Sequence, residues 1–455
     1  MNTQAFMSYT DAIKTLKDSP MFNLSLSSKE LFHSNFLYWI WKVDEVTFKR
    51  IIETLLGESN LDWGNDWVVS REYKNFDLCV KDRSNEDLEN DDSQGLAKKP
   101  KIYFVLENKV KSIPYKAQLD KYVKKVDEHH GKKMKVDTKY LLLALPSGFP
   151  DEKVIEDDKT WKIASYENYL NAINNLSMPS DYESQIVKDY CNFVGSLLTV
   201  YDTWNNHCYQ PQSPLLNNPP YIAGAEELRI HDLYHKSKYS IICANLQQKI
   251  IDSDISGKVD IVENDDKKIF ETFDDPNNRN KKLIAFGYGY SNGQPFVEVK
   301  VALRDGNNPP IIYIIQAQGD AYRHGVVMNH NKLSGYNGTK DKRIWDYLGK
   351  NHVTPPQGGN IIYVNGYEWM RFENFSNNNT GGTDSLVIAD NGKDVVDADC
   401  LFPDCKKRKD SQPYGKYAGD NSPIGMIYQY RKLKDKVKVS DFIDYVITDV
   451  KRLIP

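Results

Sequence analysis

The sequence predicts two domains: a mixed α/β sheet flanked by helices, followed by an α+β domain with an antiparallel meander. The length of 455 residues exceeds what one ordinary hydrophobic core contains, so more than one domain is expected. Within residues 1–204, helical patterns come first, and the order strand, hairpin, strand, helix, strand then indicates antiparallel pairing followed by a helical crossover. Later in the chain, Asn292-Gly293 and Asp305-Gly306 separate apolar runs and predict β-hairpins.

The first domain, residues 1–204, is predicted to begin with helices that each have one apolar face. Apolar residues recur at intervals of three and four between Leu31 and Trp41, as a buried helix face requires, and Ser27 or Ser28 would cap this helix. Alternating or continuous apolar runs then predict the strands 67–73, 76–80, 101–107, 139–145 and 161–165. The other predicted helices are 9–16, 48–56, 116–127, 166–173 and 184–201.

A stretch rich in proline and asparagine, residues 205–225, is the predicted linker between the domains. Residues 226–455 form the predicted α+β domain, which would restrict the substrate, dock a protein partner or support a homo-oligomer. Its predicted strands are 283–290, 296–303, 311–316 and 361–372. Its predicted helices are 225–252, 428–433 and 440–453.

The composition is that of a globular protein, with 40% hydrophobic and 27% charged residues. We expect a cytoplasmic protein without membrane contact, because no run approaches the roughly 18–20 apolar residues that span a bilayer and the first residues lack the features of a signal peptide. The six cysteines are scattered, which indicates reduced thiols, and the alternative is a structural zinc site at Cys400 and Cys405. The net charge of −4 argues against a protein that coats nucleic acid indiscriminately.

Two carboxylates and a lysine are predicted to lie close together on neighbouring strands. Asp77 lies inside one predicted strand and Glu107 ends another, so both carboxylates can point to the same face. Lys109 follows Glu107 by two residues and shares that face, with the carbonyl of Asn108 between them. Oxygen ligands of this kind hold Mg²⁺, which activates water and stabilises negative charge during phosphodiester hydrolysis. Lys109 could orient or help deprotonate the water, or steady the phosphate.

The order of these residues resembles the PD-(D/E)XK nuclease superfamily. Asp77 is followed by Glu107-Asn108-Lys109 after a hydrophobic strand, and Gln118 and Tyr122 come on the next helix. The Gln-x-x-x-Tyr spacing resembles the RecB-like branch of that superfamily, and it places both side chains on one helical face. The segment from Glu30 to Trp39 is also similar to the first helix of some bacterial and phage members. In all, the resemblance covers approximately residues 25–175.

The resemblance implies a restriction-endonuclease-like mixed sheet, dependence on Mg²⁺ or Mn²⁺, and cleavage of DNA. It implies that Asp77 and Glu107 ligate the metal and that Lys109 positions the water. Gln118 and Tyr122 would contact phosphate or support the structure, and Glu30 would be a further acidic metal ligand. For Glu30, a favourable interaction with the helix dipole is a sufficient alternative.

Two features depart from the family pattern or weaken it. Phe76 precedes Asp77 where proline is common, and 29 residues separate Asp77 from Glu107. A Glu-x-Lys tripeptide is a weak signal by itself, because such pairs are usually solvated. Here, however, Glu107 ends an almost wholly apolar strand, where a carboxylate without a partner is costly.

Ten lysines and four acidic residues lie between Lys109 and Lys139. A solvated helix face and a phosphate-backbone contact are near-equal alternatives for this stretch, and Lys111 is predicted to contact the substrate. The predicted function is a metal-dependent deoxyribonuclease in prokaryotic or phage defence, restriction or repair. The rival prediction is a non-catalytic nucleic-acid-binding or protein-interaction module on the same fold.

Overall fold

The fold is described from a computed structural model, in which the chain divides into two units. The first comprises residues 1–207 and 220–237, and the second comprises residues 208–219 and 238–455. The structure describes residues 7–25, 29–83, 99–131, 134–174, 176, 178–216, 219–262, 264, 269, 272–273, 281–291, 293–303, 310–327, 361–363, 414–416, 426–433 and 437–454.

The first unit combines helices with a five-stranded sheet in the described residues. Its helices are α1 (Tyr9–Asp18), α2 (Pro20–Ser25), α3 (Lys29–Val43), α4 (Glu45–Leu56), α5 (Lys116–His130), α6 (Glu152–Asp158), α7 (Tyr166–Ile173), α8 (Asp181–His207), α9 (Pro219–Glu227) and the beginning of α10 (His231–Ile251). Its strands are β1 (Trp67–Arg71), β2 (Leu78–Asp82), β3 (Ile102–Lys109), β4 (Lys139–Ala144) and β5 (Trp161–Ser165).

The strand order in this sheet is β1-β2-β3-β4-β5. β1, β2 and β3 pair antiparallel, whereas β3, β4 and β5 pair parallel, with α5 as the crossover between β3 and β4. Parallel neighbours need such a crossover, and strands buried on both faces are continuously apolar. β4 follows this rule, since it is buried from Tyr140 to Ala144. The predicted mixed α/β sheet is confirmed.

Helix α3 is fixed in the first unit by its apolar face. Phe36, Leu37 and Ile40 are buried, in keeping with the predicted three- and four-residue repeat. The Phe36 ring stacks on Tyr190 of α8, with ring centres 3.5 Å apart and planes within 5°. α3 also packs against α4, β1 and β3, so it lies directly beside the sheet.

The second unit is built on an eight-stranded sheet in the described residues, ordered β11-β12-β13-β10-β9-β8-β7-β6. β7 to β10 form the predicted antiparallel meander, and β6 pairs parallel to β7. The strands are β6 (Val259–Val262), β7 (Lys282–Ser291), β8 (Gln294–Leu303), β9 (Ile311–Gln318), β10 (Ala321–Val327), β11 (Ile361–Tyr363), β12 (Tyr414–Lys416) and β13 (Met426–Lys432). One face of the sheet packs in a common core with α10 and with α11 (Val439–Arg452).

Two predicted helices of the second half were wrong. Residues 428–433, predicted as a helix, form most of β13, because Tyr428 and its neighbours pair with β10 and β12 in a sheet that the local pattern does not reveal. The predicted helix 225–252 is divided between α9 and α10, and Arg229 in the gap has a φ of 54°. A positive φ is incompatible with helix continuation, so the chain turns there.

Some sequence predictions fall outside the described residues. These include Cys400 and Cys405, most of the predicted strand 361–372, and the middle of the loop between β2 and β3. No disulfide bond joins the described cysteines, which are Cys79, Cys191, Cys208 and Cys243. Among the helices that the structure describes, none is long and apolar enough to cross a membrane.

The stacking of Phe36 on Tyr190 generates a stability prediction. Phe36→Ala should lower the free energy of unfolding by about 3–5 kcal/mol, because it removes a 6% exposed ring from between α3 and α8. Urea unfolding followed by circular dichroism measures this loss. The control is Val46→Ala, at a residue 66% exposed on α4, which should change stability by less than about 0.5 kcal/mol. Equal effects of the two substitutions would contradict the packing role of Phe36.

Candidate active site

Asp77 lies opposite Glu107 at the end of the antiparallel pair β2–β3. It stands one residue before β2 rather than inside a strand, which corrects the predicted position. Leu78 pairs with Leu106, and this register puts the two carboxyl-bearing residues on facing positions. The backbone N–H of Asn108 donates a 2.7 Å hydrogen bond to Oδ2 of Asp77. The strand pairing therefore fixes the first carboxylate directly.

Glu107 and Lys109 form a buried ion pair on β3. The two residues are 2% and 6% exposed, and Nζ of Lys109 lies 2.7 Å from Oε1 of Glu107. The side-chain amide of Gln118 on α5 also donates to this oxygen, at 3.0 Å. The other oxygen, Oε2, is buried and has no hydrogen-bond partner among the described residues. A buried carboxylate oxygen without a partner is expensive, which makes Oε2 of Glu107 the candidate atom for binding a ligand.

Burial and the charges of neighbouring carboxylates raise the pKa of both carboxyl groups. Burial raises the pKa of Asp77 to about 6, and the nearby Glu30 and Glu72 act in the same direction. Burial and the charge of Asp77 raise the pKa of Glu107 to about 7. Both groups therefore begin to lose their charge near neutral pH when no cation other than Lys109 is present.

The pKa of Lys109 is raised in spite of its burial. Burial alone would lower it, because desolvation penalises the ammonium group. The charge of Glu107 and the hydrogen bond to it outweigh desolvation, with further contributions from Glu30 and Asp77. Lys109 is thus a protonated cation at neutral pH.

Glu30, in the first turn of α3, holds the chain that follows β3. Its Oε1 accepts hydrogen bonds from the hydroxyl of Ser112 at 2.6 Å, from the Ser112 N–H at 3.0 Å and from the Val110 N–H at 3.3 Å. Its charge also contributes to the raised pKa of Asp77 and of Glu107. The structure therefore brings Glu30 close to Asp77 and Glu107, and its Oε1 fixes the backbone of Val110 and Ser112.

The side chain of Asn108 forms hydrogen bonds with residues of two different helices. Its side-chain amide donates a 2.6 Å hydrogen bond to the hydroxyl of Ser34 on α3. Its side-chain oxygen accepts a 3.2 Å hydrogen bond from the hydroxyl of Tyr166 on α7. Sequence reasoning considered only the Asn108 carbonyl and missed both partners. The sequence could have indicated Ser34, because it lies four residues after Glu30 and therefore on the same face of a predicted helix. No local sequence pattern indicated Tyr166.

Gln118 and Tyr122 lie one turn apart on α5, as predicted, and are linked to the ion pair. Gln118 donates to the hydroxyl of Tyr122 at 2.9 Å as well as to Glu107. The Tyr122 ring meets Phe76 edge-on, with centres 5.5 Å apart. Because Phe76 directly precedes Asp77, this pair of rings connects α5 to the chain on which the first carboxylate stands.

Lys111, predicted to contact the substrate, points towards another part of the first unit. Its Nζ lies 3.4 Å from Oδ1 of Asp232 and donates to the carbonyl oxygen of Arg229 at 3.3 Å. Lys116 and Lys139 of the same lysine-rich stretch also pair with acidic residues. The positive charges of these three lysines are therefore paired with acidic residues of the protein itself.

The donor set fits a hard divalent cation. Asp77 and Glu107 provide carboxylates from facing strand positions, and the unsatisfied Oε2 of Glu107 offers a lone pair that no protein group uses in the described structure. Such ions bind few carboxylates and keep several waters. Within the described residues, no group of three or more His, Cys, Asp or Glu side chains has the arrangement of a complete metal site.

Comparison with known families agrees with this geometry. Residues 69–192 match the family model described as the PD-(D/E)XK nuclease superfamily. The matched segment includes Asp77, Glu107, Lys109, Gln118 and Tyr122. No curated protein and no solved structure matches the chain.

The raised pKa of Asp77 leads to a prediction about pH. The pKa of Asp77 is higher in the folded protein than in the unfolded chain, so ionising this carboxyl lowers the stability of the fold. This loss is absent below about pH 4, grows between about pH 4 and about pH 6, and is fully present above that range. Without divalent metal, Asp77→Asn should therefore be several degrees more stable than the wild type at pH 8 and lose that advantage at pH 4. Thermal unfolding in EDTA across this pH range measures the difference.

The control for this measurement is Asp157→Asn, an exposed position on α6. It should follow the wild-type pH dependence throughout. If Asp77→Asn also follows the wild-type curve, the electrostatic cost assigned to the buried carboxylate is wrong.

Proposed function

Since residues 69–192 belong to the PD-(D/E)XK nuclease superfamily, we propose that this protein is a divalent-metal-dependent nuclease that hydrolyses phosphodiester bonds of DNA. The observation that carries this proposal is the buried Glu107–Lys109 pair facing Asp77, with one Glu107 oxygen unsatisfied. Structural ion pairs do not need a spare buried acceptor, whereas a metal site does. Mg²⁺ or Mn²⁺ is the proposed ion.

Asp77 and Glu107 would hold the ion, with the carbonyl of Asn108 and the carboxylate of Glu30 as further proposed oxygen ligands. When bound, the ion supplies Lewis-acid stabilisation of the phosphoryl oxygens and lowers the pKa of a bound water. Glu107 would bind through Oε2, because Lys109 and Gln118 already occupy Oε1. Gln118 would thereby select which oxygen faces the ion.

Lys109 acts in this proposal as a cation rather than as a base. Its raised pKa keeps the ammonium protonated at neutral pH, so it orients the attacking water or steadies the scissile phosphate through donated hydrogen bonds. Asn108 positions its neighbours Glu107 and Lys109, since its side chain is tied to Ser34 and Tyr166. Gln118 and Tyr122 would serve as the RecB-like element, through positioning of Glu107 and contact with phosphate.

The proposal extends to the roles of the two domains and to the biological setting. We assign the first domain, residues 1–204, to catalysis, and residues 226–455, after the linker 205–225, to restriction of the substrate or to a protein partner or a second copy of the chain. We propose a cytoplasmic location, and the superfamily supports a role in prokaryotic or phage defence, restriction or repair. Lys111 is kept as a candidate phosphate contact that would have to leave Asp232 on binding.

Loss of cleavage in Lys109→Ala is the first test of this function. The wild type should cut DNA with Mg²⁺ or Mn²⁺ and be inert in EDTA, and Lys109→Ala should lower the rate at least about 100-fold. Lys153→Ala, at an exposed lysine of α6, should retain wild-type activity. Linear and closed-circular substrates compared on gels separate cutting from ends and internal cutting. Metal-independent or absent cleavage in the wild type would overturn the proposal.

Metal binding can be measured without cleavage. Mg²⁺ or Mn²⁺ should raise the thermal midpoint of the wild type, because an ion that binds only the folded state stabilises it. The increase should be much smaller in Glu107→Gln, which keeps the size of the side chain but removes its charge. Asp157→Asn should show the full wild-type increase. Normal metal binding and DNA binding without any cleavage would favour the non-catalytic alternative.

A further inference from the structure

We propose that three lysines beside the candidate active site bind the phosphate backbone of the DNA substrate on one side of the cleavage position. They are Lys74, which precedes β2, and Lys121 and Lys125 of α5, and we call them the lysine row. This inference rests on the proposed nuclease function and identifies the cations that hold its substrate.

Side-chain contacts connect the lysine row to Glu107 on one side of the sheet. Gln118 donates to Oε1 of Glu107 at 3.0 Å and to the hydroxyl of Tyr122 at 2.9 Å. Nζ of Lys125 lies 5.3 Å from the centre of the Tyr122 ring and donates a 3.2 Å hydrogen bond to the carbonyl oxygen of Lys74. An unbroken series of contacts therefore leads from Glu107 to Lys125 and Lys74.

Helix geometry places two members of the row beside Gln118. Lys121 and Lys125 follow Gln118 by three and seven positions, so the three side chains lie on one face of α5. The axial distance from Gln118 to Lys125 is about 10 Å, at a rise of roughly 1.5 Å per residue. Lys121 is exposed and Lys125 is half-buried. A DNA strand that leaves Glu107 along this face of α5 therefore meets both ammonium groups.

Lys74 extends the row in the same direction. Its side chain is exposed, in the connection between β1 and β2. Burial lowers the pKa of His129, and the charge of Lys74 acts in the same direction. Since His129 follows Lys125 by one turn on α5, the ammonium group of Lys74 lies near that next turn. The row therefore continues along α5, away from Glu107.

The charges of the row are not neutralised within the part of the chain that the structure describes. On other faces of α5, Lys116 pairs with Asp120 at 2.6 Å and Lys124 lies 3.9 Å from Glu128. No ion pair joins a member of the lysine row to an acidic residue in the described ranges. The positive charges of the row are therefore available to an anion from outside the protein.

The charge balance of the candidate site explains why a DNA substrate needs such a row. The chain has a net charge of −4, and in the site the carboxylates of Asp77 and Glu107 face the single cation Lys109. This excess of negative charge repels a polyanionic strand unless cations contact its phosphates. A divalent ion at the carboxylates offsets the repulsion at the scissile phosphate, so lysines beside the site must offset it along the flanking backbone.

The first experiment measures how DNA affinity depends on salt, with labelled duplex and single-stranded DNA followed by fluorescence anisotropy in EDTA. The variant Lys74→Gln/Lys121→Gln/Lys125→Gln removes three charges but keeps polar side chains. At about 0.1 M salt its Kd should be at least about tenfold higher than that of the wild type. The slope of log affinity against log salt should become smaller by about 2–3, because each phosphate contact contributes about 0.7–0.9. Unrelated DNA sequences should lose affinity equally, since phosphates carry no sequence information.

The matched control is Lys153→Gln/Lys162→Gln/Lys188→Gln, at exposed lysines of α6, β5 and α8. It has the same net charge as the test variant and should keep the affinity and the salt slope of the wild type. An equal loss of binding in the two variants would reveal a general effect of charge and overturn the inference.

A second variant allows for the structural contacts of Lys125. Lys74→Gln/Lys121→Gln leaves Lys125 over Tyr122, so the folding of α5 is less exposed to the substitutions. The salt slope should become smaller by about 1.5, in keeping with the loss of two phosphate contacts. An unchanged slope in both variants would refute the lysine row.

Cleavage of the same DNAs with Mg²⁺ separates this inference from the proposed function. The triple variant should raise KM and leave kcat nearly unchanged, because contacts with flanking phosphates are equally strong before and in the transition state. Metal-dependent cutting with the same KM in wild type and variant would leave the nuclease function standing and refute the row. DNA binding that depends on the row, without any cutting by the wild type, would refute the nuclease function alone. A wild type that neither binds nor cuts any DNA would refute both.

Discussion

The ion pair between Glu107 and Lys109 is the interaction on which the rest of the candidate site depends. Two opposite charges are buried on one strand, and their desolvation is tolerated because they lie 2.7 Å apart and Gln118 adds a hydrogen bond. Asp77 adds a second negative charge at the facing strand position, which the single lysine does not neutralise. The excess of negative charge and the unsatisfied Oε2 explain why the cluster is suited to a divalent cation.

The helices of the first unit position this cluster through polar contacts and not only through packing. α3 reaches it with Ser34 and Glu30, α7 with Tyr166 and α5 with Gln118, so three helices hold the end of one strand. A site built on rigid elements in this way keeps its geometry without a ligand. Glu107 and Lys109 are buried charges at this end of the sheet, and Glu72, Lys74 and Asn75, in the connection that leads to Asp77, have left-handed backbone.

Much of the first unit could be predicted from local sequence, because its signals agree. The apolar repeat of α3, the continuous apolar runs of β3 and β4, and the helix after Pro114 all appear in the structure near their predicted positions. The second unit was harder, since β13 depends on pairing with β10 and β12, and strand propensity depends strongly on such tertiary context. The predicted helix 225–252 contains no glycine or proline, so the sequence did not indicate that the helix is divided at Arg229.

The sequence by itself determined that Asp77, Glu107 and Lys109 are candidate site residues, because these charges stand in or beside strongly apolar strands, where an unpaired charge is costly. It also determined that Gln118 and Tyr122 share a helical face, since that follows from helix geometry alone. Only the tertiary structure decided which atoms meet: that Gln118 and Lys109 share one oxygen of Glu107, that Lys111 pairs with Asp232, and that Tyr166 holds Asn108. Those contacts join residues as many as 121 positions apart (Lys111 to Asp232), and no local pattern encodes such distances.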